Sequence, residues 1–193
     1  MTEQTVRKNQ ILKAAEQLFS KRGYHATTVR EIAAALDLEG GSLYGHISGK
    51  YELLYTLVLE ASEQFRTAAR EVLASGEPPE QQLHELMRRH VAIVAQSPER
   101  AVVYHHEWKH LNEEHLALLK HQRNEYEQAF RQIIREGVAD EVFVVEDERL
   151  ASISVLSLLN WTYQWYQPGG PLDADGLADY FYRQIMQGFK RPG

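Results

Sequence analysis

A chain of 193 residues with 44% hydrophobic and 25% charged side chains has the make-up of a folded globular protein, which excludes a disordered or fibrous polymer. It holds no cysteine, so a disulfide framework, a thiol nucleophile and a thiolate metal site are excluded as well. The net charge of -6 is unevenly spread: residues 1–50 carry seven Lys or Arg against five Asp or Glu, so a mildly basic head, suited to approach phosphates, precedes an acidic body.

Apolar spacing is helical almost throughout, and the pattern predicts nine helices and no sheet. In the first, Ile11, Ala15, Leu18 and Phe19 line one stripe, and Gly23 supplies the stop. Thr28 followed by Glu31 forms a capping box, in which each side chain satisfies an orphan backbone donor at the start of a second, very short helix. Asp37 offers a turn before a third short helix within residues 40–47, and two short helices so closely joined can pack only at a steep angle. A long fourth helix is expected from Ser48 to about Ser75, with Leu53, Leu54, Leu57, Val58 and Phe65 on its apolar side. Glu77-Pro78-Pro79 is the clearest linker, and a fifth helix then runs to Ser97-Pro98. The sixth is expected from Glu99 to Leu111 and the seventh from Glu113 to Glu136. Glu146, Asp147 and Glu148 place acids where a helix dipole favours them, opening an eighth helix through Trp165 that is apolar nearly all round. A ninth helix occupies residues 173–189. Residues 1–10 lack the apolar core of a secretion signal, and no stretch is long and apolar enough for a membrane span, so a soluble, cytoplasmic protein is expected.

Two stretches carry the strongest signal: Gly23-Tyr24-His25-Ala26-Thr27-Thr28-Val29-Arg30-Glu31-Ile32-Ala33 and Ser42-Leu43-Tyr44-Gly45-His46-Ile47-Ser48-Gly49-Lys50. At these positions the chain resembles the tetracycline-repressor (TetR) family, over roughly residues 7–55. The resemblance implies an all-α fold with an N-terminal helix-turn-helix DNA-binding domain, residues 1–50, and a ligand-binding and dimerisation domain, residues 51–193. It also implies DNA contacts from Thr28 and Arg30 on the bracing helix and from Gly41, Ser42, Tyr44 and His46 on the recognition helix, with Lys50 on a phosphate. Such a helix enters the major groove by its N-terminal end, and Gly40, Gly41 and Ser42 lie where bulk would hold it away. Phosphate contacts from Thr28, Tyr44 and Lys50 would set register, while Arg30 and Ser42 would read bases. The chain departs from the family pattern in Gly45 and Ile47, where larger aromatic residues are usual. Glu39 adds a negative charge at the tip of the reading helix, where it either accepts from a cytosine amino group or repels a phosphate.

In the body, His106-Glu107-Trp108-Lys109-His110 matches the zinc-peptidase pattern HExxH, in which two His one turn apart bind metal and Glu activates water. No third ligand stands out, Glu125 and Glu127 being explained by an amphipathic helix, so the segment is read as pocket-lining or solvated; neither a catalytic residue, a metal site nor a cofactor is assigned. Tyr104, Trp108, Trp161, Tyr163, Trp165 and Tyr166 concentrate aromatic rings in two segments, which suits an apolar ligand pocket, a core or a dimer interface. The segments around Tyr104–Leu111 and Trp161–Pro171 resemble the TetR-type regulators that sense acyl-coenzyme A thioesters. On that resemblance Tyr104, Trp108, Trp161 and Trp165 would line the effector site, and Arg88, Arg89, Arg100, Lys109 or Arg123 would meet a coenzyme A phosphate, Arg88 and Arg123 being the ones assigned. The reading is a homodimeric repressor, paired through its last two helices and released from a palindromic operator by a small-molecule effector. Its rivals are a multidrug-type sensor with the same head and a zinc-dependent hydrolase using the HExxH segment.

Overall fold

The computed structural model describes residues 3–189, apart from the side chains of residues 3, 4 and 42. Nine α-helices run through the described residues: α1 (Glu3–Arg22), α2 (Val29–Ala34), α3 (Gly40–Leu43), α4 (Lys50–Leu73), α5 (Pro79–Gln96), α6 (Pro98–His106), α7 (Glu113–Ala139), α8 (Glu148–Asn160) and α9 (Ala174–Phe189). Short 3-10 turns follow α6 at Trp108–His110 and α8 at Trp161–Gln164, and no strand occurs among the described residues. The chain divides into two compact units, one of Met1–Ser62 with Glu99–Leu119 and one of Glu63–Pro98 with Lys120–Gly193, so α4 and α7 contribute to both.

In the first unit α1 buries Ile11, Leu12, Ala15 and Phe19. It stops at Gly23, whose φ of +86° is open to glycine without strain and brings its N–H to the Phe19 carbonyl at 2.9 Å. Thr28 then caps α2 with a complete capping box: Thr28 N donates to Glu31 Oε2 at 2.7 Å and Glu31 N donates to Thr28 Oγ1 at 3.2 Å. The turn after α2 passes through Asp37 in the left-handed region (φ +54°), and the single turn of α3 buries Leu43. Helix α4 begins where Glu52 accepts the Ser48 N–H at 2.7 Å, and it lays Leu53, Leu54, Leu57 and Val58 into the core. That backbone bond, with Lys8 at 2.9 Å, holds the Glu52 carboxyl below the usual carboxylate range.

In the second unit α5 opens with Pro79 in its first turn, where a missing N–H costs nothing, and buries Leu83, Leu86, Met87, Val91 and Val94. Helix α9 packs along it through an amphipathic face of Leu177, Ala178 and Phe181. The remaining core comes from Phe130, Ile133 and Ile134 of α7 and from Ala151, Val155 and Leu159 of α8. Beyond α7 the chain turns back so that Phe143 lies against Gly137, leaving no room there for a Cβ. Helix α8 departs from expectation. It is capped by Asp147, which accepts the Leu150 N–H at 2.8 Å, but it ends at Asn160 and is buried on one side only. Leu150, 63% exposed, and Ser154 and Ser157 face outward.

Candidate nucleic-acid interface

The residues that sequence reasoning assigned to DNA all fall in the first unit, around α2 and α3, which pack on each other. Thr28, Arg30, Gly41 and Tyr44 are exposed, Tyr44 at 60%, an unusual placement for a large ring. A Cβ on Gly41 would meet nothing within 4 Å. The fold therefore has no internal need for glycine in this turn, although glycine in a helix costs about 1 kcal/mol relative to alanine. His46 is half-buried, its N–H held by the Leu43 carbonyl at 2.8 Å, and the side chain of Ser42 lies outside the described residues. Thr28 is doubly engaged, since its hydroxyl also donates to Glu31 Oε2 at 2.9 Å. The Thr28 backbone bond, chief among these contacts, keeps the Glu31 carboxyl ionised to lower pH than usual.

Lys50 has a role that spacing alone did not show. Its Nζ donates to the carbonyls of Tyr24 and Thr27, each at 2.8 Å, and lies 4.2 Å from the centre of the Tyr24 ring. It therefore ties the turn between α1 and α2 to the start of α4, and one of its three ammonium protons remains for a further acceptor. The same turn is held from elsewhere in the chain by the segment that matched HExxH. The pattern is broken by the backbone: α6 ends at His106, and Trp108–His110 form a 3-10 turn, so the two His do not stand one α-helical turn apart. Glu107 instead accepts the Tyr24 N–H at 3.1 Å and lies 3.3 Å from His110 Nε2. The His110 ring meets His25 edge-on at 4.1 Å and stacks on Tyr24 at 5.6 Å. Among the described residues no group of three or more His, Asp or Glu is disposed to hold a metal ion.

Two further ties complete this unit. Arg100 of α6 reaches Glu16 at 2.8 Å and Glu60 at 3.0 Å, and Glu16 is fully buried with Lys13 as a second partner at 2.6 Å. Tyr51 of α4 meets His115 Nδ1 at 2.8 Å and accepts the Asn112 N–H at 3.1 Å, so the first turn of α7 is fastened to α4. Sequence reasoning found none of the pairs made by Arg100 and Tyr51, because the partners stand 40 to 84 positions apart and each residue type is ordinary on a helix surface.

Two family models match the chain. Residues 11–56 match that of bacterial regulatory proteins of the tetR family, and residues 76–189 match the tetracyclin repressor-like C-terminal domain. The chain belongs to the TetR family of bacterial regulatory proteins. Its members regulate transcription by binding DNA, and the chain is accordingly a regulator and not an enzyme. The HTH-type transcriptional repressor KstR2 of Rhodococcus jostii is 28% identical over 188 residues, covering 96% of this chain and 92% of that protein. The solved structure of the ketosteroid transcriptional regulator KstR2 of Mycobacterium tuberculosis superposes with a TM-score of 0.91 at 23% identity, covering 96% of each chain, which shows the shared fold. AibR, solved in complex with isovaleryl coenzyme A and operator DNA, matches with a TM-score of 0.81 at 25% identity, over 93% of this chain and 98% of that one.

The six residues proposed for the effector are not brought together within either unit of this TetR-family chain. Tyr104 and Trp108 belong to the first, and Arg88, Arg123, Trp161 and Trp165 to the second. Tyr104 is buried, with its ring edge-on to His105 at 5.1 Å, and Trp108 is half-buried. Arg88 lies at the surface, bonded to Glu85 at 2.8 Å and to Asp175 at 3.2 Å. Trp161 and Trp165 are 62% and 49% exposed, Trp165 with one edge on Phe181, so neither forms the wall of an enclosed cavity in the second unit. A cleft of about 90 Å³ does lie there, between Arg66, Ala69, Arg70, Leu73, Glu125 and Tyr126, and none of the six lines it.

Proposed function

We propose that this chain is a one-component transcription repressor that grips a palindromic operator as a homodimer and releases it when an acyl-coenzyme A thioester binds its C-terminal domain. The observation that carries the DNA part is the exposed pairing of Gly41 and Tyr44 on a helix-turn-helix, a bare backbone beside a large ring with no internal reason for either. Arg30 and Ser42 then read bases, while Thr28, Tyr44 and Lys50 position the head on phosphates, with Gly41 and His46 as further contacts of the recognition helix. The functional division falls near residue 50, with sensing and pairing assigned to residues 51–193. Repression agrees with the KstR2 relative, described as a repressor. The effector class is supported by AibR and its bound isovaleryl coenzyme A. Arg88 would first have to leave two carboxylates.

Pairing through α8 and α9 is supported by Leu150, Trp161, Trp165 and Tyr180, four large side chains 46% to 63% exposed on those two helices and the turn after α8. An apolar surface of this kind marks an interface, and a self-complementary one closes a twofold dimer. Under this reading Trp161 and Trp165 serve pairing. The protein acts in the cytoplasm; among the described residues no helix is long and apolar enough to cross a membrane. Footprinting on the DNA upstream of the protein's own gene tests the whole: a protected palindrome is expected, lost on addition of isovaleryl coenzyme A. Protection that persists with this and longer thioesters would overturn the effector class, and no protection at low salt would overturn the operator reading.

A further inference from the structure

The turn between α1 and α2 sets the angle of the bracing helix, yet five residues, 23–27, cannot bury a core that would fix it. Beside the local bonds of the turn, three of its backbone groups are taken by two charged side chains from distant parts of the same unit. Glu107 accepts the Tyr24 N–H at 3.1 Å, and Lys50 donates to the Tyr24 and Thr27 carbonyls at 2.8 Å. His110 wedges between them, 3.3 Å from the Glu107 carboxylate and 4.1 Å from the His25 ring. We propose that Glu107 and His110 form a latch that positions the helix-turn-helix for DNA, and that the latch opens when His110 takes up a proton. Glu107 is thus a positioning residue, and mild acid is a second input to the regulator.

The charges around His110 give the sign. Facing it are His25 and Tyr24 from the turn, Lys50 from α4, and Glu107 and Lys109 from its own segment. Burial first, then His25, Lys109 and Lys50, hold its proton affinity below the ordinary value of 6.5, and Glu107 only partly offsets them. A proton on His110 in the closed latch would stand beside a second imidazole and an ammonium, so protonation favours the open form. The closed latch is therefore complete above pH 6.5 and weakens as pH falls below it. DNA affinity should follow. Plain electrostatics predicts the reverse, because added positive charge on a DNA-binding head tightens its hold on phosphates.

The test measures binding of a fluorescent duplex from the promoter region of the protein's own gene at pH 7.5 and pH 5.5, at constant ionic strength. The unmodified protein should lose at least about threefold in affinity at the lower pH, within a ceiling of about tenfold per pH unit for each linked proton. His110→Gln, neutral at both, should abolish that loss. At pH 7.5, Glu107→Ala should bind more weakly, and Glu107→Gln, which keeps an acceptor oxygen, should restore most of the affinity. The Tyr24 amide resonance of the free protein gives a readout without DNA: it should move over the same pH range and stay still in His110→Gln. Affinity that rises or holds at pH 5.5, or that falls alike in His110→Gln, would overturn the latch. Failure of the unmodified protein to prefer this duplex over random DNA at pH 7.5 would count against the operator reading alone, and the Tyr24 resonance would then decide the latch.

Discussion

At the centre of the first unit stand two helices of six and four residues, whereas α5 and α9 in the second are 18 and 16 residues long. Among the described residues the short pair buries only Ile32, Ala33 and Leu43, so its geometry depends on side chains that close backbone ends: Thr28 with Glu31, Lys50 and Glu107 on the turn before them, and Glu52 on Ser48. The long pair interlocks through Leu83, Leu86, Met87, Leu177 and Phe181, and its ion pairs lie at the surface. Two helices this short add little to the apolar core of their unit, so packing alone does not fix them. Directed hydrogen bonds and buried charge take that place, and they are more easily released by a ligand or a proton than packing is.

Four substitutions test this contrast. The largest effect should come from Arg100→Ala, which strips the buried Glu16 carboxylate of one of its two cationic partners. A loss of about 3 kcal/mol is expected, as for a buried pair broken on one side, and urea denaturation would measure it. The corresponding change in the second unit, Arg88→Ala, removes surface pairs and should cost no more than about 1 kcal/mol. Equal losses would erase the distinction. Next comes Gly137→Ala, since a Cβ there would stand 2.2 Å from the Phe143 ring. Overpacking of this kind costs about 1–3 kcal/mol; an unchanged thermal midpoint would mean that the Phe143 turn yields freely and packing does not govern this unit. The smallest is Thr28→Ala, which removes the α2 cap and should cost about 1 kcal/mol. Because the cap orients α2, operator affinity should fall further than that stability loss explains, which parallel denaturation and DNA titrations would show.

Much of the fold was legible because its rules are local. The capping box at Thr28 and the stop at Gly23 each depend on a few consecutive residues, and the structure repeats them, whereas Pro79, read as linker, is the first residue of α5. Helix α8 shows the limit: periodicity read it as apolar all round and running to Trp165, but Trp161–Gln164 tighten into a 3-10 turn and Leu150 remains in solvent. A run of apolar residues does not say whether it faces its own chain or another. The HExxH match shows a second limit, since the motif presumes one continuous helix and the backbone breaks it after His106.

From the order of its amino acids alone, this chain is bound to be helical and to carry a two-helix reading head, because periodicity, caps and turn residues act within a few positions of one another. Which charges meet was decided only in three dimensions. Glu107 on Tyr24, Arg100 on Glu16 and Tyr51 on His115 join positions 64 to 84 apart, brought within hydrogen-bond reach by the packing of helices that local preference cannot foresee.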